Sequence, residues 1–414
     1  MMKLKVRLVI FACAAFMLFV SFKILEPEIR RQRKDSDNSL IDGGVVPLEM
    51  VIKSQVEEYK VDWKYSLGGQ SPWTIAAKWI DNRHIHPEKV PELGAVLREL
   101  ATRPIIAADV GVKGTQLKLS LTLKGGQIVA FKPEWYARHD IINGTPYAGR
   151  DRHNAEIAAF HLGRVLQFRR TPLAVGRRVN LKTEILPVAT PELKATFFTK
   201  GDNNCFYGKC LYCKGPDDGV CAKGQILEGT IVMWLPSEWT LKTVRHPWSR
   251  TYTKKRIAKW ETDSDYCSKV QMVKMYSSGT FLLDLIDTAI FDYLIGNADR
   301  HHYEHFSRSK ENMVLILDNA KSFGDPDADE RSILAPLYQC CKFRFSTWQR
   351  LLALQDSVLS GVMKEILAQD PVSPILTERH LKAMDRRLQN ILLEMEKCIA
   401  KNGMNGIVMD HSYH

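Results

Sequence analysis

A chain of 414 residues is longer than one ordinary hydrophobic core accommodates, which predicts two lobes or domains. Hydrophobic residues at 45% and charged residues at 25% mark ordinary globular material. The formal net charge of +11 favours an anionic partner, whether nucleotide, anionic glycan or nucleic acid. With no RNA-binding signature, zinc-finger spacing or basic zipper, and with its basic residues spread out, the chain is not read as a nucleic-acid binder.

Taken in chain order, the first element is the apolar run LVIFACAAFMLFVSF (Leu8 to Phe22), behind the basic MMKLKVR. At ~1.5 Å per residue it only just approaches the ~30 Å hydrocarbon core, so it reads as a signal-peptide core or a short anchor suited to a thin early-secretory membrane. No small-x-small cleavage site follows it, which favours an uncleaved anchor: residues 1–25 form a cytoplasmic tail and signal-anchor, with the body lumenal. Residues 26–70 open on EPEIRRQRKDSDNS and read as a polar stem. From Ser71 the chain becomes globular. Leu117, Leu119, Leu121 and Leu123 alternate at period two, and QIVAFKP follows Gly125-Gly126, which together predict a hairpin. DRHNAEIAAFHLGRVLQF (Asp151 to Phe168) has helical spacing, and FLLDLIDTAIFDYLIG (Phe281 to Gly296), apolar nearly all round, predicts a buried helix.

Beyond Cys13 in the apolar run, eight cysteines remain, and an even number behind an export signal reads as four disulfides. The alternative is a zinc site in Cys205 to Cys221, but its C-x4-C-x2-C-x7-C spacing lacks paired CxxC units. Asn143-Gly144-Thr145 is a glycosylation sequon that agrees with a lumenal chain.

GNADRHHYEHF (Gly296 to Phe306) and MVLILDNAKSFG (Met313 to Gly324) concentrate ionisable groups. A kinase-type phosphotransferase needs a strand lysine on the phosphates, a helical glutamate holding that lysine, an aspartate at the attacking hydroxyl and a carboxylate on the metal. Lys132, Glu156, Asp299 and Asp318 supply these in that order, and Glu304 stands five residues after Asp299, where kinases place a metal-binding asparagine. Each residue also has an ordinary reading: a solvent-facing strand lysine, a carboxylate favoured by the helix dipole, an aspartate capping a turn. The order of the set outweighs these readings. HRD, DFG and the glycine-rich loop of ordinary protein kinases are replaced by ADRHH, DNAKSFG and GVKGTQ, which indicates an atypical kinase. A metal hydrolase built on His301 and His302 lacks a third ligand nearby.

SPWTIAAKWI, DRHNAEIAAFHL, CFYGKC, GNADRHHYE, LDNAKSFG and DERSILAPLYQCC together resemble the secretory-pathway kinases that include the Golgi casein kinase, from about Ser71 to Cys398. Ala298 before Asp299, NAKSFG after Asp318 and ADVGVKGTQLK resemble the sugar-phosphorylating branch of that family. The resemblance implies an α+β fold, an atypical two-lobed protein-kinase-like architecture stapled by disulfides. A small sheet-rich N-lobe would occupy 71–231 and a larger helical C-lobe 232–414. It implies a single-pass type II Golgi membrane enzyme that moves the ATP γ-phosphate to the 2-hydroxyl of xylose in the glycosaminoglycan-protein linkage region of proteoglycans. ATP and a divalent metal (Mn2+ or Mg2+) would be its cofactors and galactosyl-xylose its acceptor, with homo- or hetero-oligomers of related kinases as an open assembly state. A Ser/Thr protein kinase on the same fold, or a pseudokinase that activates a partner, is the alternative.

Carried over by position, Asp299 matches the family's catalytic aspartate and Asp318 its metal and nucleotide ligand. Lys132 matches the phosphate-binding lysine, Gln116 a contact in the loop over the phosphates, and Glu156 the helix glutamate. Asp151 stands where the protein-kinase relative has a metal-binding glutamate. Val232, Met233, Trp234 and Leu235 match the hinge beside adenine, and Glu304 a further nucleotide-site residue. The family's bridges map onto Cys205 with Cys221, Cys210 with Cys213, Cys267 with Cys340, and Cys341 with Cys398. The sequence does not identify the sugar-contacting residues: Arg152, His153, Trp248 and Trp348 are candidates on polar or aromatic character alone, and each is read first as structural.

Overall fold

The structure, a computed structural model, describes residues 46–404 except 112–113, 254 and 308–312. The chain divides into two units, residues 1–50 and 51–414, and apart from the first three residues of the helix that begins at Leu48 everything below concerns the second. The Leu8 to Phe22 run lies outside the described residues, among which no helix is long and apolar enough to cross a membrane.

The stretch read as stem contains a helix over Leu48–Tyr59 (α1), and its Tyr59 is buried against the helical core. Helices α2 (Pro72–Lys78) and α3 (Glu92–Thr102) precede the sheet strands β1 (Ile105–Val110), β2 (Leu119–Leu123) and β3 (Gln127–Pro133). The expected hairpin is β2–β3, with Leu119 opposite Phe131 and Leu121 opposite Val129. Gly125 and Gly126 take φ of 99° and 89°, which L side chains rarely adopt, so the glycine pair is what turns the chain. Helix α4 (His153–Val165) follows, then β4 (Ala174–Asn180), the small antiparallel strands β5 (Phe197–Lys200), β6 (Asn203–Phe206) and β7 (Val220–Cys221), and β8 (Ile226–Met233). The main sheet runs β1-β2-β3-β8-β4, all antiparallel, with β3 central.

After β8 come a two-stranded ribbon, β9 (Leu241–Arg245) with β10 (His302–Phe306), and the helices α5 (Phe281–Ile295) and α6 (Glu378–Asn402). α5 is buried along its length, as its all-round apolarity predicts, and its three acids are paired. Asp284 accepts from Arg344 at 2.6 Å, Asp287 from Thr347 at 2.9 Å, and Asp292 from Arg300 at 2.7 Å. Two cores result. One lies against the sheet around Leu119, Leu121, Val129, Phe131 and Ile231; the other gathers α5, α6 and their neighbours. α4 belongs to both, giving Phe160 to the sheet core and Ile157 and Leu162 to the helical one. The four disulfides pair as the resemblance implies, with adjacent Cys340 and Cys341 bridging to Cys267 and Cys398.

Candidate active site

Lys132 sits on β3 opposite Thr230 of β8, and Thr230 Oγ1 donates to the His153 carbonyl at 2.6 Å, which fixes the start of α4 against the sheet. One turn along α4, Glu156 faces that strand. Lys132 Nζ donates to Glu156 Oε1 at 2.6 Å and to Asp318 Oδ1 at 2.7 Å, with Asp151 Oδ2 at 3.6 Å. Burial opposes the lysine charge, but Asp318, Glu156 and Asp151 outweigh it and hold the ammonium well above the ordinary lysine range. Burial pushes Asp151 up to about 6 against the pull of Lys132, whereas Lys132 holds Asp318 well below the usual carboxylate range.

Three carboxylates around one ammonium give the cluster a local surplus of negative charge. Such a surplus of hard oxygen donors suits a divalent cation, and the Asp318 side chain is 78% exposed and open to one. The donor chemistry therefore fits a metal at Asp318 and Asp151. Among the described residues, one group of three metal-capable side chains is close enough to share an ion: Glu134, His153 and Glu228. There Arg138 and Arg178 already pair Glu228, so no charge surplus remains to recruit an ion.

Gly296 ends α5 in the left-handed conformation (φ 71°), and Asn297 N donates to the Asp292 carbonyl at 2.7 Å, a helix stop that aims the next residues outward. Arg300 then ties the loop down: Nε and Nη2 donate to the two Asp292 carboxylate oxygens at 2.9 and 2.7 Å, Nη2 to Asn319 Oδ1 at 2.7 Å, and Nη1 to the Leu317 carbonyl. Asn319 in turn donates from N and Nδ2 to Glu156 at 3.0 and 3.2 Å. Asp299 is thereby held beside the Asp318 segment, its own N–H donating to Asn297 Oδ1 at 3.1 Å. Asp318 has φ 56°, which aspartate tolerates better than most residues.

The remaining expected residues surround this centre. Gln116 is half-buried, its Oε1 has no hydrogen-bond partner among the described residues, and it lines a cavity of about 530 Å³ with Tyr147, Tyr212 and Lys321. Glu304 lies on β10 opposite Thr243, and burial raises its pKa. Val232 and Met233 end β8; Trp234 is anchored by its N–H on the Ile128 carbonyl at 3.2 Å, and Leu235 packs beside the small cluster of Phe306 and Leu315. Asn143 is exposed.

Arg152, His153, Trp248 and Trp348, the candidates for sugar contact, are all buried and engaged within the fold. Arg152 donates to the carbonyls of Lys321 and Ser322, and His153 Nε2 lies 3.1 Å from Glu228. Trp248 Nε1 donates to Gln339 at 2.7 Å, and Trp348 packs against Phe343 and Phe345. Sequence reasoning missed Arg300, Asn319 and Tyr252. The first two adjoin Asp299 and Asp318 and were recoverable as donors that buried acids require; Tyr252, 47 residues from Asp299, gives no local signal.

A five-stranded sheet joined by α4 to a helical part, with a strand lysine bridging a helix glutamate and a loop aspartate, defines the protein-kinase-like class. Within it, residues 71–407 match the family Golgi casein kinase, C-terminal, Fam20, and the chain belongs to that family. It is 56% identical over 342 residues to the human glycosaminoglycan xylosylkinase, covering 82% of this chain and 83% of that one. The structure of hydra Fam20 with sugar is 47% identical, with a TM-score of 0.81 over 83% of this chain and 99% of that chain. The Golgi casein kinase with Mn/ADP bound is 32% identical, with a TM-score of 0.79 over 90% and 94%.

Proposed function

We propose that the protein is an ATP-dependent glycan kinase that phosphorylates the 2-hydroxyl of xylose in the glycosaminoglycan-protein linkage region, with galactosyl-xylose as acceptor. The observation that carries this reading is the assembled set itself: Lys132 within 2.7 Å of both Glu156 and Asp318, with Asp299 on the adjoining loop. A pseudokinase scaffold has no need of the complete set, and likeness to a xylosylkinase over most of the chain favours a sugar acceptor over a protein serine.

In this reading Asp299 orients the acceptor hydroxyl and takes its proton as the new O–P bond forms at the γ-phosphorus and the bond to the β-phosphate oxygen breaks, releasing ADP. Lys132, fixed by Glu156, holds the phosphates; Gln116 covers them; Val232 to Leu235 flank the adenine, and Glu304 completes the nucleotide site. A divalent ion, Mn2+ or Mg2+, would be held by Asp318 and Asp151 and would neutralise phosphate charge. A galactose beyond the xylose adds contacts that set which of several similar hydroxyls meets Asp299.

The reading extends to organisation. An N-lobe over 71–231 and a C-lobe over 232–414 would follow a stem and an anchor in residues 1–25, placing the enzyme in the Golgi lumen with Asn143 glycosylated. Four disulfides, the exposed sequon and the apolar run support this. The test is transfer from labelled ATP to a galactosyl-xyloside and to casein in parallel. Phosphate on the xylose 2-position is expected; efficient labelling of casein with an untouched disaccharide would replace the reading with a protein kinase.

A further inference from the structure

The Asp299 side chain is 24% exposed, and one of its two carboxylate oxygens is already taken. The Tyr252 hydroxyl donates to Asp299 Oδ1 at 2.5 Å and lies 3.3 Å from both the Asp299 carbonyl and His301 Nδ1. Its ring is held edge-on by Tyr147 at 4.6 Å and by His301 at 5.8 Å between centroids. The backbone of Tyr252 has φ 58°, a left-handed conformation that a tyrosine keeps only where its surroundings hold it. Although the residue is 39% exposed, partial burial of its hydroxyl and the Asp299 charge raise the phenol above the ordinary tyrosine range, so it stays a donor at neutral pH.

A hydroxyl donating to this carboxylate is the contact that an acceptor hydroxyl makes just before transfer. We infer that Tyr252 is a gate on Asp299: without acceptor its hydroxyl fills the acceptor's place and keeps water off the carboxylate, and the sugar hydroxyl displaces it. This rests on the reading of Asp299 as the base. The displaced ring has room, because Tyr252 borders a cavity of about 680 Å³ lined also by Arg245, Arg256, Lys259 and His301. The reaction being suppressed is ATP hydrolysis: a water attacks the γ-phosphorus, its proton passes to Asp299, the bond to the β-phosphate oxygen breaks, and ADP and phosphate leave. Tyr252 is thus a positioning residue that decides between sugar and water.

Tyr252→Phe removes the hydroxyl and keeps the ring contacts. ADP release with ATP and Mn2+ but no acceptor should rise on the order of tenfold, a fraction of what a positioned base contributes. The KM for galactosyl-xyloside should fall, since its competitor is gone. Adding Asp299→Asn to Tyr252→Phe should abolish the increase, bringing hydrolysis to or below the parent rate. Acceptor-free ADP release at or below the parent rate overturns the gate, as does extra hydrolysis that survives loss of Asp299, or loss of sugar transfer in Tyr252→Phe. Failure of the parent enzyme to phosphorylate the disaccharide would count against the xylose reading instead, while the acceptor-free comparison would still report on the gate.

Discussion

Asp151 puts the charge balance of the site to a quantitative test. Its side chain is 11% exposed, and burial, only partly countered by Lys132 at 3.6 Å, raises it from 3.8 to about 6. A carboxyl with a higher pKa folded than unfolded binds its proton more tightly in the folded state. Its contribution to stability is therefore complete below the unfolded pKa and is lost as pH rises through about 6. At neutral pH, keeping Asp151 ionised then costs up to about 3 kcal/mol. Asp151→Asn removes that cost, so the metal-free protein should gain up to about 3 kcal/mol at neutral pH and little near the unfolded pKa of about 4. The same substitution should weaken metal-dependent nucleotide binding, because in the proposed mechanism the destabilising charge is one that helps hold the cation. Urea denaturation of metal-free parent and variant across that pH range measures the first effect, and calorimetric titration of ATP with Mn2+ the second. A variant no more stable than the parent at neutral pH would refute the argument that burial, and not the lysine, dominates at Asp151.

Two further outcomes follow from the geometry. Asp299→Asn should lose about 10²–10⁴-fold in turnover with nucleotide affinity retained, whereas Asp318→Ala should lose metal-dependent nucleotide affinity; equal loss of affinity in both, by titration, would refute the division of roles. Paired Ser substitution of Cys341 and Cys398, 57 residues apart, should cost about 4 kcal/mol, and that of Cys210 and Cys213, three apart, about 2; non-reducing urea melts give the ranking, and its reversal would contradict a loop-closure origin.

Patterns that depend on one local repeat were legible in the sequence. The leucines of β2 alternate because one face of that strand meets the sheet core, and Gly125-Gly126 marks a turn only glycine makes easily. Helix α5 was legible because nothing but a buried helix hides so apolar a segment, and the meeting of Lys132, Glu156 and Asp318 because a kinase-type site needs those groups together. Residue type alone does not separate site from core at Arg152 and Trp248. A guanidinium reads as a surface group, yet Arg152 is buried because the carbonyls of Lys321 and Ser322 need donors; an indole reads as a glycan platform, yet Trp248 fills core and spends its N–H on Gln339. Tyr252 was beyond reach, since only the folded chain brings residue 252 to residue 299.

The site stands where the two cores meet, and that placement accounts for its tolerance of unbalanced charge. Glu156 is fixed from both sides: Phe160, one turn on, is locked into the sheet core, while Ile157 and Leu162 are locked into the helical one. Lys132 approaches from the sheet and Asn319 from the helical side, so neither can follow the carboxylate if it shifts. Arg300 extends the same chain of contacts to Asp292 inside α5, and Arg152 holds the segment after Asp318 by its carbonyls. Repulsion among Asp151, Glu156 and Asp318 could be relieved only by moving backbone that belongs to a core. The long-range disulfides Cys267–Cys340 and Cys341–Cys398 join segments of the helical part away from this cluster, where they raise the cost of unfolding without touching the groups that must bind nucleotide. Rigidity is thus supplied by packing and covalent staples, which keeps the carboxylates together despite their mutual repulsion, as the proposed binding of a divalent cation requires.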